Sequence, residues 1–215
     1  MVNSVEGHLS SMRGGCIPND RHPKRKSGIR KPLRTIYAIV EGTSEKVYLT
    51  RLHGLNPQVS VRSRVTKEKK ATDIVAECIR LSSREGLMST DIRAVIFDCD
   101  AISHDDMKQA FDMAEKNGVM MITSNLCFEY WLLLHFEEPP MRLDTGTLYN
   151  QELSKMLGRT YSKSEGLKGS LTLEAVADAI SRSRKRLPSG DPLECHSKLN
   201  STCMHVIAES ILLEK

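Results

Sequence analysis

The chain has no apolar run of about eighteen residues, the length of a membrane-crossing helix; its longest apolar stretches are short and broken by Asp, Glu or Asn. Residues Met1 to Gly15 lack the apolar centre of a secretory leader, so the sequence predicts a cytoplasmic protein with no membrane partner. None of the six cysteines (Cys16, Cys78, Cys99, Cys127, Cys195, Cys203) belongs to a C-x-x-C pair. That argues against a zinc site, and in a reducing compartment the six read as free thiols. Internal repeats and long low-complexity tracts are absent too, which leaves an ordinary globular chain.

What is present begins with size and charge. At 215 residues and 40% hydrophobic content, the chain is long enough for one well-packed domain with a small appendage. The formal net charge is +4, but the segment up to Arg34 holds eight basic residues against Glu6 and Asp20, a local +6, so the remainder is slightly acidic. Rich in Gly, Ser, Pro and basic residues, residues 1–33 read as a flexible arm. Its Arg21, Lys24, Arg25, Lys26, Arg30 and Lys31 suit the phosphate backbone of a nucleic acid; the plainer reading is a solvated basic tail.

The rest is organised around Ile36 to Glu45. Ile36-Tyr37-Ala38-Ile39-Val40 has the composition of a strand buried on both faces, and it breaks at Gly42 into a helix start capped by Thr43 or Ser44. Glu41 therefore sits where strand becomes loop. The pattern returns at Ala94-Val95-Ile96-Phe97, which runs into Asp98-Cys99-Asp100. Between them the spacing predicts a helix to Leu55, an edge strand over Val59–Val65 and a sheet-covering helix over 72–87 ended by Gly86. A helix over 104–117 and a buried strand Val119–Thr123 follow. The alternation predicts an α/β fold with a parallel sheet and right-handed crossovers. Beyond Asn125 the chain reads as helical: an apolar helix Phe128–Phe136 stopped by Pro139-Pro140, then helices over 147–157, 171–187 and 201–213.

The acids carry the chemistry. Ligands of open α/β sheets bind outside the carboxyl ends of the strands, and three carboxylates there can share a hard divalent cation such as Mg2+, with Mn2+ as a substitute. Such an ion handles phosphate esters. Asp98-Cys99-Asp100 alone reads first as a polar turn that caps the next helix; Glu41 from a second strand reverses the balance. Glu129 is a lone acid at the start of an apolar helix beside the same crevice, so it needs a cation, a metal or a donor. His135 reads as a packed core or partner-facing histidine, Lys163 as a solvated loop cation or one that neutralises the acids or meets a substrate phosphate, and Trp131-Leu132-Leu133-Leu134 as core or interface.

The Glu41-Gly42-x-x-Glu45 and Asp98-Cys99-Asp100 pair resembles the acidic signature of the TOPRIM fold. More narrowly, the chain resembles the RloB-like family of prokaryotic defence-associated proteins. The specific part is Ser124-Asn125-Leu126-Cys127-Phe128-Glu129-Tyr130-Trp131, with Tyr161-Ser162-Lys163 and the Asn200-Ser201-Thr202 helix start beside it. Leu126 and Ser201 stand where the family usually has Pro, and neither change removes a charge.

The resemblance implies a TOPRIM-like α/β domain over 34–138, a parallel sheet flanked by helices, with a mainly helical C-terminal part over 139–215 packed on it. It implies a magnesium-dependent nuclease acting on RNA or DNA in antiphage defence, encoded beside an ATP-binding partner protein, with a homodimer also open. Glu41 matches the metal ligand or general base, and Asp98 and Asp100 match the magnesium pair. Glu45 stands behind them, and Glu129 joins them as a catalytic candidate. Two other readings keep the fold: a regulatory or sensor subunit of an ATPase-containing complex, and a nucleic-acid-binding module with degenerate acids. The presence of all three acids favours the nuclease over the last.

Overall fold

Along each central strand, successive side chains point to opposite faces of the sheet, and here both faces are apolar. The computed structural model describes residues 33–139 and 145–212. The basic arm, with Arg21, Lys24, Arg25, Lys26, Arg30 and Lys31, and Cys16 within it, lies outside the described residues.

The strands are β1 (Arg34–Val40), β2 (Val59–Val65), β3 (Ile92–Asp98), β4 (Val119–Asn125) and β5 (Ser201–Thr202), in the spatial order β2-β1-β3-β4-β5. β1 to β4 are mutually parallel, as expected, and β2 lies at the edge. The sheet is nonetheless mixed, because β5 pairs antiparallel with β4 through Ser124–Thr202 and Asn125–Ser201. Ser201 and Thr202 were expected to begin a helix. Their hydroxyls instead donate to carbonyls, Ser201 to Cys195 (3.2 Å) and Thr202 to Thr123 (3.2 Å), and Thr202 Oγ1 accepts from the Met204 amide (3.2 Å). Short polar side chains that offer the backbone other partners favour strand and cap over helix interior. Helix α8 (Met204–Leu212) starts only after them.

Two apolar layers cover the sheet. On one face, Tyr37, Ile39, Val95, Phe97 and Met121 meet α2 (Ala71–Ser82) and α3 (His104–Lys116) through Ile74, Val75, Cys78, Met107 and Ala110. On the other, Ile36, Ala38, Val40, Ala94, Ile96 and Ile122 meet α1 (Thr43–Leu55), α4 (Glu129–Leu133), α5 (Gly146–Leu157), α6 (Leu173–Arg186) and α8. Each large aliphatic buried in these layers contributes roughly 1.5–3 kcal/mol. A further short helix, α7 (Pro192–Ser197), packs at β4. Its Asp191 side chain accepts from the Leu193 and Glu194 amides, with Pro192 at the first helical position.

Two helices stop sooner than their periodicity suggests. α2 ends at Ser82, where Ser82 Oγ donates to the Ile79 carbonyl (3.2 Å) and Ser83 Oγ to that of Arg80 (2.9 Å); turns then carry the chain to Gly86 at φ +63°. α4 has five helical residues, and looser turns continue it through Phe136, whose amide donates to the Leu133 carbonyl (2.9 Å). Among the described residues no helix is long and apolar enough to cross a membrane.

Candidate functional site

The β1 and β3 registers put their carboxyl ends side by side, and Glu41 joins them. Its amide donates to the Ile96 carbonyl (2.9 Å), and its Oε2 accepts from the Asp98 amide (3.0 Å). Oε1 faces Lys69 Nζ at 3.3 Å, an ion pair whose lysine is 76% exposed. Gly42, rather than Thr43 or Ser44, caps α1, without any side-chain bond. A Cβ on Gly42 would stand 3.0 Å from Glu45 Oε2, so glycine is what lets this second carboxyl fold back beneath the loop.

Glu45 is only 4% exposed. Burial pushes its carboxyl up to about 7; its own backbone amide pulls the other way, the charges of Glu129 and Glu41 add to the rise, and Lys163 lowers it slightly. Asp98 closes the group. Its Oδ1 is buried and has no hydrogen-bond partner. Burial, with the charges of Glu45, Glu41, Glu129 and Asp100, holds its carboxyl well above the usual carboxylate range. A buried polar atom left unpaired costs roughly 1–3 kcal/mol, so Asp98 is held in a place that suits something other than stability. Asp100 stands exposed at the rim. Cys99, between the two aspartates, turns inward and bonds the Ser124 carbonyl through both its amide (3.0 Å) and its thiol (3.2 Å).

Glu129 reaches the crevice from the first residue of α4, where it is 5% exposed. Its Oε1 accepts from Ser44 Oγ (3.1 Å) and from the Tyr161 hydroxyl (3.1 Å), and Lys163 Nζ lies 3.9 Å away. Burial and the Glu129 charge raise the Tyr161 phenol, which therefore keeps the proton it donates. Burial, with Glu129 and Asp98, likewise keeps the nearby Cys127 thiol protonated. Lys163 is a partner of Glu129, which answers the need for a cation beside a buried acid. Ser124 Oγ and Thr202 Oγ1 bond at 2.9 Å, and Asn125 donates to the Cys195 and His196 carbonyls (3.2 and 2.8 Å), so the β4 end is pinned; the Asn125–Leu126 peptide is cis.

His135 stands apart, in the core, as its sequence position suggests. Its Nδ1 bonds the Trp131 carbonyl (3.0 Å) and so carries the hydrogen, which leaves Nε2 to accept from the Tyr48 hydroxyl (3.1 Å). Burial pushes it down to about 4. The five described cysteines are free thiols.

The fold thus brings Glu41, Glu45, Asp98, Asp100, Glu129 and Lys163 to one crevice. Among the described residues, no three His, Cys, Asp or Glu side chains stand as a ready-made metal cage. Three participants carried no assigned role at the site in the sequence: Ser44, there only a candidate helix cap, Tyr161 and Lys69. Tyr161 sits beside Lys163, and Lys69 lies in the basic Lys67 to Lys70 stretch; those neighbours were the available signals.

No curated protein and no solved structure matches the chain. The profile of the RloB-like protein family matches residues 36–211, from the first buried strand to the last helix, and the chain belongs to that family.

Proposed function

We propose that this protein is a magnesium-dependent, TOPRIM-like nuclease that hydrolyses phosphodiester bonds in RNA or DNA. The observation that carries the reading is Asp98 Oδ1, buried without a partner among the carboxylates of Glu41, Glu45, Asp100 and Glu129. An all-oxygen donor set of this charge fits a hard divalent cation, and cation charge is what would relieve the mutual repulsion. Glu41, Asp98 and Asp100 would hold Mg2+ or Mn2+. When bound, such an ion supplies charge to the phosphoryl oxygens and acidifies a coordinated water.

The chain's own groups do the rest. Lys69 and Lys163 flank the acids at positions suited to phosphate oxygens, and Glu129 holds Lys163 at the crevice. Ser44 and Tyr161 fix Glu129 in turn. Glu45, at about 7, can take and return a proton near neutrality. The setting that accompanies this reading is antiphage defence beside an ATP-binding partner, supported by family membership.

Labelled tRNA, single-stranded RNA and plasmid DNA incubated with the protein and Mg2+ or Mn2+ test it. Cleavage should vanish with EDTA and in Asp98→Ala. Cleavage that persists in Asp98→Ala, or none from the wild type on any substrate, rejects the reading.

A further inference from the structure

A cleft of about 550 Å³ lies between the outer stripe of α1 and the end of edge strand β2. Its walls include Thr43, Lys46, Thr50, Arg51, Val65 and Ser164, with no acidic residue and no aromatic ring. Both banks lead to the acids. Thr43 lies two residues past Glu41, and Ser164 follows Lys163, whose Nζ is 3.9 Å from Glu129.

Two cations, Lys46 and Arg51, line this cleft with no carboxylate among its walls. Lys108, Lys155, Arg182 and Arg184 each have a carboxylate partner. Among the described residues Lys46 and Arg51 take part in no ion pair, and Arg51 Nε is buried without a hydrogen-bond partner. A guanidinium nitrogen withdrawn from water and left unpaired is costly, and the charge of an anion held in the cleft beside it would offset that cost. Guanidinium, ammonium and hydroxyl groups without stacking rings suit phosphates and pass over bases.

We propose that this cleft holds the phosphodiester backbone of the nucleic-acid substrate beside the reacting bond, with Lys46 and Arg51 each neutralising a phosphate. The proposal rests on the nuclease reading and adds where its substrate lies. It makes binding indifferent to base sequence on this flank, since the groove offers charge rather than base-edge contacts.

The test measures fluorescence anisotropy of labelled single-stranded RNA and labelled duplex DNA against the full chain in EDTA, over a salt series. The variants are Lys46→Ala/Arg51→Ala, Lys46→Glu and, as a control, Lys108→Ala. The double variant should bind about tenfold or more weakly, with a log–log salt slope smaller by about 1.4–1.8, because each lost phosphate contact removes roughly 0.7–0.9. Lys108→Ala should bind as the wild type does. Lys46 is exposed, so Lys46→Glu keeps the test sound if the double variant loses its melting transition; it too should weaken binding. Wild-type binding that neither Lys46→Glu nor the double variant alters overturns the groove and leaves the nuclease reading standing. A wild type that binds neither nucleic acid removes both.

Discussion

The two faces of the sheet solve the same packing problem differently. Under α2 and α3 the buried layer is almost wholly apolar, and polar bonds stay at the helix ends, where Asp106 accepts from the Ala71 amide (2.8 Å) and Thr72 hydroxyl (2.7 Å). Under α1, α4, α6 and α8 the layer also contains Glu45, Glu129, Tyr48–His135 and a Ser183–His205 pair bonded at 2.9 Å. Buried polar groups stabilise only when every one is satisfied. Glu129 meets that condition, whereas Glu45 is buried against the like charges of Glu129 and Glu41, so one face is organised for stability while the other sacrifices some of it to hold charge beside the crevice.

The largest expected effect checks that the polar face still carries its share of the core. Trp131, fully buried there, should cost about 3–5 kcal/mol on Trp131→Ala, against about 0.5–1.5 kcal/mol for Ile74→Val under α2, both from urea unfolding. A Trp131→Ala loss below that of Ile74→Val would break the comparison.

Next comes pH. Glu45 has a folded value of about 7 against 4.5 for an ordinary glutamate, so the folded state binds the extra proton between them, and stability falls as pH rises through that window. At about 1.4 kcal/mol per unit, the fall is about 3 kcal/mol. Glu45→Gln should remove it, which is read as the wild-type-minus-variant difference between pH 4.5 and 7. His135 acts with the opposite sign: lowered to about 4 from 6.5, it stabilises above 6.5 and loses that contribution as pH falls toward 4. A flat difference curve for Glu45→Gln would place Glu45 in water rather than in the crevice.

Tyr161→Phe takes one of two hydroxyl donors from Glu129 and should cost about 1.5–3 kcal/mol, since the acceptor is charged. On the proposed nuclease reading it should also slow cleavage, which a purely structural hydroxyl would not do once the protein is kept folded. Smallest of all, Lys108→Ala on the α3 surface breaks an exposed i,i+4 pair with Asp112 and should cost about 0.3–0.5 kcal/mol by the same unfolding assay.

Much of this was legible in the sequence. Runs such as Ile36 to Val40 and Ala94 to Phe97 are strands by composition, and acids at their ends follow from where each run stops. The spacing of Met107, Ala110 and Ala114 gave α3 nearly to the residue. β5 was not legible, because two hydroxylated residues acquire strand geometry only from a β4 edge that lies far off in sequence. The same holds for Ser44 and Tyr161, 117 positions apart, which meet at 3.1 Å through tertiary packing alone. The short α7 carries too few residues for any period to show.

The core that covers β1 and β3 includes Met204, Ile207, Ala208 and Ile211 of α8. A nascent chain emerging from the ribosome therefore presents its first strand long before the helix that shields it has been made. At elongation rates of roughly 5–20 residues per second, that face stays wet for on the order of ten seconds. Exposed apolar strand surface over such an interval is what chaperones bind, so Ile36, Ala38 and Val40 mark where the newborn chain needs shelter.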